Sequence, residues 1–175
     1  MRPNTTIGPY CKIGGEVGNV IFHSYSNKAH EGFLGNSVIG SWCNMGADTN
    51  NSNLKNNYSP VKVWDYMTRS NLDTGLQFCG TIMGDHSKCS INTMLNTGTV
   101  VGVCANIFGG GFPPKFVPSF SWGGAGGFIT FQPRKFYEVA MAVMKRRGKE
   151  FDEQEKEIID AVYAASKTHR IWENK

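Results

Sequence analysis

The sequence lacks the features that mark several large classes of protein. Its five cysteines are odd in number and contain no Cys-x-x-Cys pair, which disfavours a disulfide framework or a zinc knuckle and predicts reduced thiols. No apolar run approaches the ~18 residues that a membrane-spanning helix needs. Residues 1–12 contain no apolar segment of the kind found in signal peptides. We therefore expect a cytoplasmic protein that does not bind membranes.

A strong charge of one sign is also missing. The net charge is +4, and residues 1–132 and 133–175 each contribute only +2 of it. This bias is too weak to predict binding to nucleic acid. Hydrophobic residues make up 40% of the 175 residues and charged residues 18%, which is enough apolar material for one packed domain.

What the sequence does contain is a repeat of six residues. Apolar residues recur at this spacing at Ile7, Ile13, Ile39, Met45, Met83, Cys89, Leu95, Val101 and Ile107. The residue two places before each of them is small in all nine cases, and the residue just after is glycine in six of the nine. A period of six fits neither a helix nor a simple alternating strand, but it fits short strands separated by turns.

Such coils stack into a solenoid, with the apolar residue pointing inward and glycine supplying the unusual φ of each turn. The alternative is a glycine-rich β-sandwich in which the spacing is accidental. Successive six-residue repeats (rungs) with small residues at the same position disfavour it. The predicted fold class is therefore mainly β, a parallel β-helix over residues 1–111.

The repeat is interrupted twice before it ends. It slips register over residues 16–36, and residues 48–80 show no rungs, so we expect an inserted loop there. After Ile107, residues 112–132 contain three prolines, many glycines and several aromatics. This composition predicts an extended segment without regular strands, packed on the solenoid.

Two helices are predicted in residues 133–175. The first begins after Pro133 and ends near Gly148, following a basic last turn at 145–147 that we interpret as a solvated helix end rather than a phosphate site. Asp152 and Glu155 predict the N-terminal cap of the second helix. The predicted apolar faces are Phe136, Val139, Ala140, Val143 and Met144 in the first helix, and Ile158, Ile159, Val162 and Tyr163 in the second.

The motifs resemble a known family. RPNTTIG, VGNVIF, KAHEGFLGNSVIG, NMGADTNNSN and IMGD follow the order seen in the acetyltransferase domain of the bifunctional N-acetylglucosamine-1-phosphate uridylyltransferase/glucosamine-1-phosphate acetyltransferase. FCGTIMGDHSKC and FSWGG are similar to a variant group of sugar nucleotidyltransferase-like proteins. The resemblance implies a left-handed parallel β-helix, a homotrimer with sites between protomers, and acetyl-CoA as co-substrate. It implies no metal in this domain.

The resemblance also assigns roles to individual residues. It makes His30 of KAHEGFLG the general base. It implies that Arg2, Asn44 and Asn53 bind the substrate. On the same alignment, backbone near Ser90 and Gly109 approaches the acyl-CoA. Lys28 and Glu31, which flank the histidine, are interpreted as solvated charges.

The sequence departs from the family pattern at three positions. Ser24 stands where a phosphate-pairing lysine is expected, Phe33 replaces a tyrosine, and Asp48 replaces a glycine. The nucleotidyltransferase half of the family plan does not precede Arg2, so the chain is expected to be a fragment of a longer protein.

Two functions remain open on these grounds. The first is acetyl transfer to an amino sugar phosphate of the glucosamine-1-phosphate type, for which histidine is a suitable base near neutral pH. The second is a non-catalytic trimerisation or regulatory module of a sugar-1-phosphate nucleotidyltransferase. A metal enzyme of the γ-carbonic anhydrase type shares the fold, but the spacing of His23, His30 and His86 disfavours it.

Overall fold

The computed structural model describes residues 3–174, so the predicted substrate ligand Arg2 lies outside the described residues. Its first seven strands are β1 (Thr6–Ile7), β2 (Lys12–Ile13), β3 (Glu16–Phe22), β4 (Asn27–Lys28), β5 (Phe33–Ile39), β6 (Asn44–Met45) and β7 (Asn50–Asn51). The next seven are β8 (Lys62–Asp65), β9 (Ser70–Asp73), β10 (Ile82–Met83), β11 (Lys88–Cys89), β12 (Met94–Leu95), β13 (Val100–Val101) and β14 (Asn106–Ile107). The last three are β15 (Phe116–Val117), β16 (Ser121–Gly124) and β17 (Gly127–Thr130).

The strands stack into a parallel β-solenoid. One sheet has six strands in the order β1-β3-β5-β10-β13-β15, and a second has seven in the order β17-β16-β14-β11-β6-β4-β2. Strands β7 and β12 form a third, parallel pair. Among these pairs only β16 and β17 run antiparallel. The predicted fold class, a mainly β parallel solenoid followed by two helices, is confirmed.

Equivalent residues of successive coils lie directly above one another. In the seven-stranded sheet Ile13 pairs with Lys28, Met45 with Cys89, and Cys89 with Ile107. The apolar members of this column belong to one continuous core with Val17, Leu34, Leu95 and Val117. The six-residue repeat therefore reports core positions, as expected for short strands that alternate inward and outward side chains.

Corners between strands use the left-handed backbone conformation, and many of them do so at residues other than glycine. Tyr25, Trp42 and His86 have φ between 59° and 61°, each three residues after a core residue, and Tyr10 has φ of 62° in the equivalent position. The expectation that the glycine just after the core residue supplies this conformation is wrong.

Those glycines are needed because the next coil approaches too closely for a side chain. A Cβ on Gly46 would lie 2.6 Å from the backbone nitrogen of Ile91, and one on Gly84 would lie 2.8 Å from the carbonyl carbon of Gly102. Both distances are shorter than real Cβ contacts, so only glycine lets adjacent coils pair here.

The inserted segment contains more regular structure than the sequence indicated. Strand β7 forms a rung within residues 48–80, which contradicts the expectation that they contain none. Its Asn51 is buried and bonds both the N–H and the carbonyl of Gly35 through its side chain. The amide thus replaces an apolar core residue while remaining satisfied. Further along, β8 and β9 form an antiparallel hairpin.

Residues 112–132 extend the solenoid. Strand β15 pairs in parallel with β13, and β16 with β14, so the expectation of no regular strands is wrong. Each prolyl nitrogen lies outside these pairs, and strands of two to four residues fit between the prolines. β17 then turns back and ends the sheet.

Two helices pack on the last coils. α1 spans Pro133–Lys145 and α2 spans Glu153–Ala165, followed by 3-10 turns at Lys167–His169 and Ile171–Asn174. The predicted cap is confirmed, since the Asp152 side chain accepts from the Glu155 N–H at 2.9 Å. The helices join a second core through Phe136, Ala140 and Ile159. Ile158 is mostly exposed and does not belong to the buried face. Among residues 3–174, no helix combines the length and apolar character that crossing a bilayer requires.

One row of corners forms a stack of aromatic rings along the solenoid. Tyr10 lies over Tyr25 at 4.8 Å between centroids, Tyr25 over Trp42 at 4.1 Å, and Trp42 over His86 at 6.1 Å. The His86 ring also meets Phe136 of α1 edge-on. Burial, and to a smaller extent the charge on Lys88, lowers the pKa of His86 to about 3.

This burial predicts acid sensitivity. The pKa of His86 is lower in the folded chain than in the unfolded chain, so the unfolded state binds the proton more readily and stability falls as the pH drops from about 6.5 towards the folded value. Between about pH 6.5 and about pH 5 we expect a loss of roughly 2 kcal/mol in the free energy of unfolding. Urea titrations at several pH values measure it.

His86→Phe is the matched variant, because Phe120 already adopts the same φ (59°) at another corner. It should retain the ring packing and show a flatter pH dependence. Parallel pH profiles for the two proteins would contradict the assignment to His86.

Candidate functional site

A groove of about 790 Å³ lies between the seven-stranded sheet and the end of α1. His30 and Asn44, two of the predicted site residues, both line it. The part of the chain that the structure describes also contributes four basic residues to the lining, Lys12, Lys88, Arg146 and Arg147, and no carboxylate. The groove is therefore strongly cationic although the chain as a whole is only weakly so.

The floor of the groove is one outward-facing column of the sheet. Lys12 pairs with Asn27, Asn27 with Asn44, and Asn44 with Lys88. All four are the residue just before a core position, so parallel in-register pairing places their side chains in a row. The Asn44 side chain is exposed and makes no hydrogen bond among the described residues, so it can bind a ligand.

The end of α1 forms the opposite wall. Arg147 donates to the Asn27 side chain at 2.9 Å and to the Tyr10 carbonyl at 3.4 Å, which ties the helix end to the solenoid. Gly148, with φ of 67°, ends the helix as predicted. Arg146 is exposed, lines the groove and has no carboxylate partner among residues 3–174. The basic turn thus contributes a charge to the groove as well as ending the helix.

His30 lies in a turn whose backbone is hydrogen-bonded by a buried lysine. Lys28 is fully buried in the core column, and its Nζ donates to the carbonyls of His30 at 2.9 Å and Glu31 at 3.1 Å. The interpretation of Lys28 as a solvated charge is wrong. The two bonds fix the two peptide groups that follow His30 and leave its imidazole exposed at the groove.

Burial lowers the pKa of two lysines near the groove. For Lys28 the nearby Glu31 and Asp48 oppose the effect. For Lys88, which donates to the His86 carbonyl at 2.9 Å, the shift also comes mainly from burial. A partly desolvated ammonium group binds an anion more strongly than one in open water.

The other predicted site residues lie outside the groove lining. Asn53 donates to Asn36 at 2.7 Å, which links two corners of adjacent coils. The Ser90 carbonyl accepts from Thr49 and Thr93, and its neighbour Ile91 lines the groove. Gly109 has φ of 98° and open space around its Cα. Their roles at a boundary between protomers remain predictions.

The three departures from the family pattern also lie outside this groove. Ser24 bonds Ser41 at 3.1 Å, and Asp48 occupies a corner with φ of 57°. The Phe33 ring packs against Gly35, and a Cβ on Gly35 would lie 2.5 Å from the ring. None of the three changes the composition of the groove.

Sequence reasoning missed Lys12 and Lys88, and it interpreted the turn that contains Arg146 and Arg147 as a solvated helix end. A signal was available for Lys12 and Lys88, because both stand one residue before a core position, as Asn44 does. No local signal placed Arg146 at the groove, since the helix could have packed on any face. Among residues 3–174, no three His, Cys, Asp or Glu side chains cluster as metal ligands would.

The chain is similar to known bifunctional transferases. It is 32% identical over 104 residues to the bifunctional protein GlmU of Methanocaldococcus jannaschii, which covers 58% of the chain and 25% of that protein. It is 30% identical over 112 residues to the bifunctional sugar-1-phosphate nucleotidylyltransferase/acetyltransferase of Sulfurisphaera tokodaii, covering 63% of the chain and 27% of that protein. The chain thus spans about a quarter of the length of these relatives, and no family model matches it. The resemblance seen in the motifs is confirmed.

The position of Lys28 predicts a local effect on the His30 turn. Lys28→Met would match the apolar neighbours Ile13 and Met45 in the column, so the fold should be retained. Two hydrogen bonds from a charged donor would be lost, each worth about 1.5–3 kcal/mol before the relief of lysine desolvation is counted. We expect faster hydrogen exchange at the Asp48 amide, which donates to the Glu31 carbonyl at 3.0 Å.

The change in exchange rate at the Asp48 amide is compared with the change at the Asn44 amide of the same protein, which serves as the internal reference. Acceleration at Asp48 alone supports a positioning role for Lys28. Equal acceleration at both amides would show general destabilisation, and no change at either would show that the turn is held by other contacts.

Proposed function

We propose that the chain is an acetyltransferase domain that acts on an amino sugar phosphate with acetyl-CoA as co-substrate. The observation that carries the proposal is the exposed His30 opening with Asn44 onto a groove with four cations and no carboxylate. The similarity to bifunctional transferases supports the same class of reaction. The arrangement meets the main requirements of acetyl transfer to a charged amine.

The first requirement is a base. The amine is protonated near neutral pH and becomes a nucleophile only when it loses a proton, and His30 is suited to accept it. The free amine then attacks the thioester carbonyl, a C–N bond forms, the C–S bond breaks, and the thiolate of CoA leaves. The nitrogen gives up a second proton as the amide forms. Of the two protons lost, one passes through His30 to the thiolate and the other goes to solvent, so the products are the N-acetylated sugar, the CoA thiol and one H⁺. General base catalysis of this kind contributes typically about 10²–10⁴-fold.

The second requirement is a site for the phosphate. Arg146, Lys12 and Lys88 present cationic donors across the groove, and charge-assisted hydrogen bonds to phosphate are the strong ones. Asn44 lies between the two lysines in the column and can bond sugar hydroxyls or the acetyl oxygen. The family lysine that is missing at Ser24 is thereby replaced by groups from another part of the fold.

The proposal is tested by supplying the chain with acetyl-CoA and glucosamine-1-phosphate and measuring the release of free thiol. His30→Asn should reduce kcat by at least about 10²-fold with little change in KM, because it removes the base. His23→Asn is the control, since His23 is also exposed and lies outside the groove lining. Turnover that survives His30→Asn would exclude the mechanism.

Arg146→Gln should raise the KM for the sugar phosphate about tenfold, equivalent to ~1.4 kcal/mol, whereas Arg134→Gln, in the same helical segment, should not.

The second candidate, a non-catalytic trimerisation module, is favoured by a different surface. The outward column of the six-stranded sheet contains Ile21, Val38 and Ile82, which are 49%, 37% and 42% exposed, in register with one another. A contiguous apolar row on a flat sheet is typical of a protein interface. We propose that further copies of the chain cover it in a homotrimer, which is compatible with either function.

Ile82→Glu tests this interface. It should shift the molar mass in light scattering from three copies towards one, because three buried carboxylates would meet around the axis. Leu76→Glu is the control, being 56% exposed on the inserted segment away from the sheet. A wild-type protein that is monomeric at all concentrations would exclude the trimer. A trimer with no thiol release and no binding of CoA would favour the module over the enzyme.

A further inference from the structure

A second cavity, of about 1010 Å³, lies at the end of the solenoid away from the cationic groove. Four parts of the chain enclose it: the β8–β9 hairpin, the last coil, β17 and the 3-10 turns after α2. Arg170 holds these turns in place, since its buried guanidinium donates to the Tyr163 carbonyl and to Glu173. The cavity is therefore a feature of the tertiary structure and not of a single loop.

Aromatic rings make up most of the wall. They are Trp64, Phe108, Phe116, Trp122, Phe128 and Trp172. Trp64 and Phe116 are stacked at 4.3 Å between centroids with 11° between their planes. Pro114, Pro118 and backbone at Gly126 add rigid surface, and a Cβ on Gly126 would meet nothing within 4 Å. Flat apolar surfaces separated by open space are suited to a planar ring.

The polar side chains of the cavity, apart from the indoles, belong to Arg69, Thr168 and His169. Within residues 3–174, Arg69 at the tip of the hairpin and His169 are the only basic lining residues, and no lining residue is acidic. The Nε1–H of Trp64 is buried and has no acceptor among residues 3–174. A buried indole N–H ordinarily has a partner. Because this atom has almost no accessible surface, the polar side chains that a ligand can reach are those of Arg69, Thr168 and His169.

His169 is held among the rings of the same wall. It meets Trp64, Tyr66 and Phe116 edge-on at 6.1, 5.3 and 5.6 Å between centroids. Burial, with a smaller contribution from Arg69, lowers the pKa of His169. The neutral imidazole that results near neutral pH can donate and accept hydrogen bonds at the edge of a heterocycle.

We propose that this cavity binds a nucleotide, with the base among the aromatic rings and a phosphate at Arg69. Stacking selects a planar ring, His169 and Thr168 favour a polar edge on it, and the arginine with no opposing carboxylate in the lining favours an anion. A purely apolar ligand would leave the three polar groups unused, and a sugar phosphate lacks the ring. The nucleotide could be the adenosine phosphate end of an acyl-CoA or a free nucleoside diphosphate, and the proposal covers both.

Calorimetric titration of the whole chain tests the proposal with adenosine 3′,5′-bisphosphate, uridine diphosphate, adenosine and inorganic phosphate. We expect at least one nucleotide to bind, more tightly than adenosine or phosphate alone. A preference for the adenosine bisphosphate identifies the acyl-CoA as source, and a preference for uridine diphosphate identifies a free nucleotide. Arg69→Gln should weaken nucleotide binding about tenfold and leave adenosine unchanged, with Arg134→Gln as control.

A second variant fills the cavity without removing any wall residue. Gly126→Leu projects into open space, so it should block both nucleotide and adenosine, whereas Gly110→Leu, also in open space but outside the lining, should not. Absence of nucleotide binding at millimolar concentration would overturn the proposal, as would binding that both Arg69→Gln and Gly126→Leu leave unchanged. His30→Asn should retain nucleotide binding, so failure of the acetyltransferase proposal is distinguished from failure of this one.

Discussion

Parallel stacking of coils in register is the constraint on which the rest of the structure depends. Because each coil bonds to the next through its backbone, a residue lies directly above its equivalent in the coil before it. Inward columns become the core, and outward columns become uniform surfaces. The column from Lys12 to Lys88 is polar and basic, whereas the one from Ile21 to Ile82 is apolar. A sequence that repeats every six residues thus gives each face of the solenoid its own chemistry.

Lys28 is the clearest exception to this regularity. It stands at a core position between Ile13 and Met45, where an apolar side chain would pack better. A buried ammonium is costly unless it is hydrogen-bonded, and here Lys28 donates to two carbonyls of the turn that carries His30. The core therefore gives up apolar packing at the coil where the candidate base is placed. Exceptions of this kind are expected where local structure serves a site rather than stability.

The sequence predicted the elements whose signals are local. The six-residue repeat gave the rungs, the Asp152 cap gave the start of α2, and Gly148 gave the end of α1. The predictions that failed for residues 48–80 and 112–132 concerned backbone pairing across coils. Proline and glycine in residues 112–132 disfavour long strands, but a solenoid needs only two to four residues per strand, and these fit between the prolines. Likewise, the glycines just after core residues are explained by close approach between coils rather than by turn geometry, and a single coil does not reveal that approach.

The sequence by itself determined the solenoid and the two helices, because periodicity and capping act over a few residues. Only the tertiary structure decided that the last turn of α1 lies over the column of Lys12, Asn44 and Lys88, and that the hairpin and the C-terminal turns enclose a ring-lined cavity. Those contacts join residues more than a hundred positions apart, as Arg147 and Asn27 show. They depend on which face of the solenoid each appended segment packs against, and the apolar face of a helix specifies that it must pack without specifying where.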